Sequence, residues 1–228
     1  MSFQFDDNLP KFLLDLSRHN DRDWFTANRK RFESAVQTPL LGFVTAMEPR
    51  LAKISRHMVA EARKSGGSLT RIYRDTRFSK DKKPYNTYMA VRFFHEVGPK
   101  VSAPRFYIHV DGRGAGIAAG CWHPDSPALS RIRAAIVANP RAWKRARDHE
   151  KQAAAWKGMS GASLKRPPRG FDADHPLIED IKRKDFILYS PLTLSEFTAS
   201  DFIDRAEARF KAARPLMRFV AGALDLSY

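Results

Sequence analysis

The stretch FYIHVDGRGAGIAAGCW, residues 106–122, decides how the rest of the chain is read. Phe106, Ile108 and Val110 alternate with Tyr107, His109 and Asp111, the two-residue period of a strand with one face in the core and one face outside it. Asp111-Gly112-Arg113-Gly114 is a turn, and the small residues from Ala115 to Trp122 form a returning strand, so the two make an antiparallel hairpin. Upstream, Leu69 to Tyr73 and YMAVRFFH, residues 88–95, read as further strands. Downstream, Phe186 to Tyr189 reads as another. The middle third of the chain is therefore expected to be a sheet.

Helical spacing takes over on both sides of it. Leu9, Phe12, Leu13 and Leu16 form an apolar stripe, and Asn20 stands where it would cap a second helix running to about Gln37, before Pro39. A third helical pattern starts at Leu40 and extends toward about Lys64, with a kink or fresh start expected at Pro49. Ser65-Gly66-Gly67-Ser68 punctuates the chain before the period changes. After the hairpin, Asp125-Ser126-Pro127 signals a helix start, Trp143 to Trp156 is a basic helical stretch, and a final helix from about Asp201 bends at Pro215. Helices, then strands, then helices predict an α+β fold: N-terminal helices, a central mainly antiparallel sheet and C-terminal helices in a single domain over residues 1–228.

The chain has 228 residues, 43% of them hydrophobic, enough for one substantial core. Forty Lys and Arg against 25 Asp and Glu leave a net charge of +15, which favours phosphates, nucleic acid or acidic surfaces as partners. A lone cysteine, Cys121, excludes an internal disulfide and a cysteine metal cluster, and it reads as a buried inert thiol. The start, MSFQFDDNLP, lacks the features of a secretory signal, and no apolar run is long enough to span a bilayer, so a cytoplasmic location with no membrane partner is expected.

The densest chemistry lies in RIYRDTRFSKDKKPYNTY, residues 71–88, where six cations and three tyrosines surround only Asp75 and Asp81. Arginine offers a planar fork to phosphate or carboxylate and lysine a mobile point charge, so Arg71, Arg74, Arg77 and Lys82, with Tyr85, are candidate ligands for an anion. Asn28 and Arg29 are candidates to join them from the second helix. Asp75 is expected to orient the arginines while Arg77 and Lys82 meet the ligand. The plainer alternative is an ion network that pins a long loop. In a catalytic reading, Asp75 or Asp81 would serve as general base or metal ligand on a phosphoester-type substrate.

Residues 131–170 hold eleven cations and two carboxylates, an alternative surface for nucleic acid although no recognised binding motif is present. His123-Pro124-Asp125 and Asp172-Ala173-Asp174-His175 read as turns and caps, since neither has a metal-site spacing. Gly112, Gly114 and Gly116 are no dinucleotide fingerprint, because no helix follows them, and there is no P-loop and no GxSxG. No metal and no cofactor are expected.

RIYRDTRFSKDKKPY resembles the hallmark R-x-x-R-D-x-R-F-x-x-(D/N)-K-x-x-Y of a widespread bacterial family, domain of unknown function 2461. The motif falls on Arg71, Arg74, Asp75, Arg77, Phe78, Asp81, Lys82 and Tyr85. FLLDLSRHNDRDWFTANRKRFE, GCWHPDSPALSRIR and LKRPPRGFDADHP are similar to other segments of the same family. The resemblance implies one domain across nearly the whole chain and importance for the motif, and it implies no particular reaction.

Overall fold

The structure is a computed structural model that describes residues 3–228. Four helices come first: α1 (Asn8–Arg18), α2 (Arg22–Ala27), α3 (Arg29–Phe32) and α4 (Thr38–Ala52). They lead into β1 (Met58–Val59), β2 (Tyr88–His95), β3 (Arg105–Asp111) and β4 (Ala115–Cys121). The helices α5 (Ser126–Ala138), α6 (Pro140–Arg147) and α7 (Glu150–Ala155) precede β5 (Met159–Ser160), α8 (Ile178–Ile181) and β6 (Phe186–Leu192). The chain finishes with α9 (Leu194–Thr198), α10 (Phe202–Ala212) and α11 (Arg214–Ala223). All strand pairs are antiparallel, in the order β1-β2-β3-β4-β6-β5, so the expected α+β architecture is the observed one.

The alternation in β3 assigns the two faces of the sheet. Phe106, Ile108 and Val110 are buried, with Met89, Val91 and Phe93 of β2 and Ile117 and Ala119 of β4. Helices cover this face. Phe210 of α10 stacks on Phe106 with centroids 4.3 Å apart, and Phe43 of α4 tilts against Phe93. At ~25 cal/mol per Å² of apolar area removed from water, this face is the main source of stability. The residues between, Arg105, Tyr107, His109 and Asp111, point to the other side and are only half-buried.

Several local expectations are corrected. Asp21, not Asn20, caps α2, with its carboxylate accepting the Trp24 N–H at 2.8 Å. The second helix does not run unbroken to Gln37: Asn28 interrupts it, and a π-helical turn over Glu33–Gln37 carries the chain directly into α4. Pro39 lies in the first turn of α4, where a missing N–H is tolerated, so it interrupts nothing. The third helix ends at Ala52, three residues after Pro49, and not near Lys64. Beyond it the chain passes through turns at residues 53–54 and 56–57 and then supplies β1, which pairs Met58 and Val59 with His95 and Phe94. Leu69 to Tyr73 contributes isolated bridges, Leu69 to Val91 and Tyr73 to Tyr85, in place of a continuous strand. Pro215 does not bend one helix but opens α11 after the break at Ala213. Among the described residues, no helix is long and apolar enough to cross a membrane.

Candidate functional site

The motif of residues 71–88 folds as an irregular hairpin. Arg74 N–H donates to the Pro84 carbonyl and Asn86 N–H to the Ile72 carbonyl, so the legs pair and residues 75–83 form the loop. Tyr85 is buried and stacks on Phe25 with centroids 4.1 Å apart. The Arg74 guanidinium donates to Asp81 at 2.8 Å, and Arg77 donates to both carboxylate oxygens of Asp75, at 3.0 and 2.6 Å. Lys82 Nζ donates to the Thr76 carbonyl at 3.0 Å, and Asn28 Nδ2 to the Trp24 carbonyl at 2.9 Å.

The hydrogen bonds from the Arg77 side chain, joined by its backbone N–H, hold the Asp75 carboxyl down at about 2. A carboxylate so firmly ionised is a poor proton acceptor near neutral pH. Hydrogen bonding from Arg74 likewise lowers Asp81. Among the described residues, no three His, Cys, Asp or Glu side chains gather as a metal site. Of the residues picked from the sequence, Arg29 and Arg71 do share a groove of about 290 Å³, joined there by Lys64. Arg74, Arg77, Lys82, Tyr85 and Asn28 are not among the residues lining it, and each is engaged within the chain.

The basic run 131–170 is also partly spent on the fold. Arg131 pairs with Asp225, buried Arg133 donates to the Ile181 and Arg183 carbonyls, and Arg147 bridges Asp148 and Asp180.

A cleft of about 680 Å³ lies on the side of the sheet that the alternation of β3 turns away from the core. Tyr107, His109 and Asp111 of β3 line it with Tyr88 of β2, Ala118 of β4, and Ile187 and Tyr189 of β6. Its rim comprises Trp122 and His123, just past β4, and residues 160–162, at and beyond the end of β5. Tyr107 faces Arg92 on one neighbour and Ala118 on the other. A smaller depression continues past Tyr107 to Arg92 and Arg105.

Local sequence explains the shape. Gly116 lies opposite His109, and a Cβ there would stand 2.4 Å from His109 Cε1 and 2.7 Å from the Tyr189 hydroxyl. Glycine thus lets these two rings lie parallel, with centroids 6.1 Å apart, at one end of the trough. At the rim, Asp185 is almost wholly buried. Its Oδ1 accepts the His123 N–H at 2.8 Å and its Oδ2 the Ala162 N–H at 2.9 Å. Gly161 makes that approach feasible, because a Cβ there would stand 2.4 Å from the Asp185 Cβ. Held in this way, His123 takes a left-handed backbone (φ 46°), with Nδ1 3.4 Å from Asp185 Oδ1 and its ring largely exposed. Strained positions of this kind concentrate at functional sites.

Two polar atoms on this face are unusual. His109 Nδ1 in the cleft and Arg105 Nε in the adjoining depression are buried and have no hydrogen-bond partner, although Arg105 Nη2 donates to the Val101 carbonyl at 3.3 Å. Burial lowers the pKa of the His109 imidazole, with Asp111 opposing, which favours a neutral ring. Burial also lowers Arg105, and it pushes the Tyr107 hydroxyl up to about 12. Neutral tyrosines, a neutral histidine and a tryptophan give stacking surfaces with hydrogen-bonding tips, and Arg105 adds one fixed charge.

Tyr107, His109, Trp122, His123, Asp185 and Tyr189 were not picked from the sequence. A signal was present in β3, whose outward positions carry Arg, Tyr, His and Asp where a plain solvated face usually carries Lys, Thr or Glu. The rest come from segments distant in sequence.

A family model described as conserved hypothetical protein (DUF2461) matches residues 8–219, so the chain belongs to that family. Comparison with curated proteins finds no match.

Proposed function

We propose that the protein binds a small ligand that joins a ring to an anionic group, phosphate or carboxylate, in the cleft on the open face of the sheet. The observation that carries this reading is the pair of buried, unpartnered nitrogens on one face of one strand, His109 Nδ1 and Arg105 Nε. A buried polar atom without a partner costs about 1–3 kcal/mol, and a ligand that supplies the partner recovers it. The two positions are four steps apart along the strand, about 13 Å at ~3.3 Å per residue, the length of a small molecule rather than a single ion. A ring between them would lie against Tyr107 and Trp122, whose own rings meet edge to face, and the anion would take the Arg105 fork.

A second reading has its own observation. Arg29, Lys64 and Arg71 line the groove beside the motif hairpin, with Glu33 paired to Arg29 at 3.4 Å, and an anion bound there would use two of the residues marked in the sequence. Thermal-shift and calorimetric screening with aryl phosphates, nucleoside monophosphates and aromatic carboxylates separates the two. The cleft reading expects a ligand whose binding is lost in Arg105→Ala and His109→Ala and kept in Arg71→Ala. Loss in Arg71→Ala alone would move the site to the motif groove, and binding unchanged in all three variants would discard both.

A further inference from the structure

The helices α7, α10 and α11 enclose a groove of about 740 Å³. Its floor is apolar and small, with Ala154, Ala208 and Ala212, and its walls carry Lys151, Arg209, Lys211, Arg214 and Arg218. No carboxylate lines it. Lys211 is neutralised by Glu207 at 2.5 Å, whereas Lys151, Arg209, Arg214 and Arg218 form no ion pair among the described residues.

The helices explain the convergence and fail to explain all of the charge. Arg214 and Arg218 are one turn apart on α11, and Lys151 and Ala154 are likewise neighbours on α7, so each helix turns a cation toward the groove. Arg209 and Lys211 end α10, where the helix dipole welcomes positive charge. Arg214 stands at the junction of α10 and α11, directly after the C-cap Ala213, and its Nε is buried with no hydrogen-bond partner. Uncompensated like charges around a common hollow repel one another, and a polyanion is the partner that relieves them.

We propose that this groove binds a ligand carrying two or more linked phosphates. The four unpaired cations carry more charge than the roughly −1.5 to −2 of a single phosphate balances, and the side chains with planar forks match phosphate oxygens in pairs. The lining lacks Phe, Tyr and Trp and holds a single imidazole, His149, so it offers no series of rings on which successive bases of a single-stranded nucleic acid would stack. This site is separate from the sheet cleft and shares no residue with it.

Calorimetry on the full chain, at low and moderate salt, tests it with tripolyphosphate, adenosine triphosphate and orthophosphate as probes. Tripolyphosphate and the nucleotide, as the two sources of a phosphate chain, are each expected to bind at least about tenfold more tightly than orthophosphate. The Arg214→Gln/Arg218→Gln double variant is expected to lose at least about tenfold in affinity for both while melting as a folded protein. Arg141→Gln, which removes an exposed cation elsewhere, should leave binding unchanged. Equal affinity for the three probes, or full affinity in a folded double variant, would overturn the proposal. So would preferential binding of a single-stranded oligonucleotide that tightens with length, since that marks an extended nucleic-acid track. If the double variant proves unstable, Lys151→Gln, on a different helix, must produce the loss instead.

Discussion

Asn20 holds Tyr85 by both of that residue's main-chain polar groups: its Nδ2 donates to the Tyr85 carbonyl at 3.0 Å, and its Oδ1 accepts the Tyr85 N–H at 3.1 Å. The side chain that looked like a helix cap is instead a clasp between the N-terminal helices and the far leg of the motif hairpin. Asn20→Ala leaves both Tyr85 groups without their partner and is expected to cost about 1–3 kcal/mol in urea unfolding. Asn20→Asp keeps the acceptor and loses the donor, so it should fall between. A wild-type midpoint in Asn20→Ala would show that the hairpin is held by the Phe25–Tyr85 stack alone.

Gly116 lies against the His109 and Tyr189 rings that line the sheet cleft. Gly116→Ala drives a methyl group into the His109 and Tyr189 rings, and overpacking of that kind costs about 1–3 kcal/mol. Ligand affinity should fall more than stability does, because displaced rings fill the trough. Thermal melts with and without the ligand found by screening read both effects, and undiminished affinity would place the bound molecule elsewhere.

Stability should depend on pH through His109. Burial lowers its pKa in the folded chain, so the unfolded chain takes up a proton first, near the ordinary value of about 6.5. The neutral ring's contribution is therefore complete above about pH 6.5 and is lost as pH falls through the lowered folded value. His109→Gln removes this titration, so its curve of unfolding free energy against pH should be flatter than that of wild type on the acid side. Parallel curves would show that the ring protonates equally easily in both states.

Cys121 should resist alkylation. It is buried in β4, and burial pushes its thiol up to about 12, with Arg105 opposing. The thiolate that reacts is scarce under those conditions. Iodoacetamide at pH 8 is expected to leave the native protein unmodified and to label it readily in urea, with mass spectrometry as the readout. Rapid native labelling would mean that β4 opens far more often than a central strand should.

The parts of the fold legible in the sequence were those with a short-range cause. Phe106 to Asp111 alternates because a strand alternates, and Asp125 caps α5 because its carboxylate meets the Ala128 N–H three residues on. The overlong third helix shows the limit of periodicity. Ile54 fits the spacing, but past Ala52 the chain turns and enters β1, where Met58 pairs with His95 of β2, a partner distant in sequence. The cleft failed to appear for the same reason. Asp185 binds backbone N–H groups 62 and 23 residues distant, and His109 and Tyr189 meet only because two strands flank β4. In the motif, the density of charge was plain, but which arginine would pair with which carboxylate depended on the path of the loop.

The two outermost strands of the sheet, β1 and β5, contain two residues each. A full-length strand at either border would leave a row of free N–H and C=O groups inviting a second molecule to add on. Here the long, apolar central strands are flanked by stubs too short to template that addition. The protein can therefore leave one face of its sheet uncovered by helices without its borders becoming nuclei for aggregation.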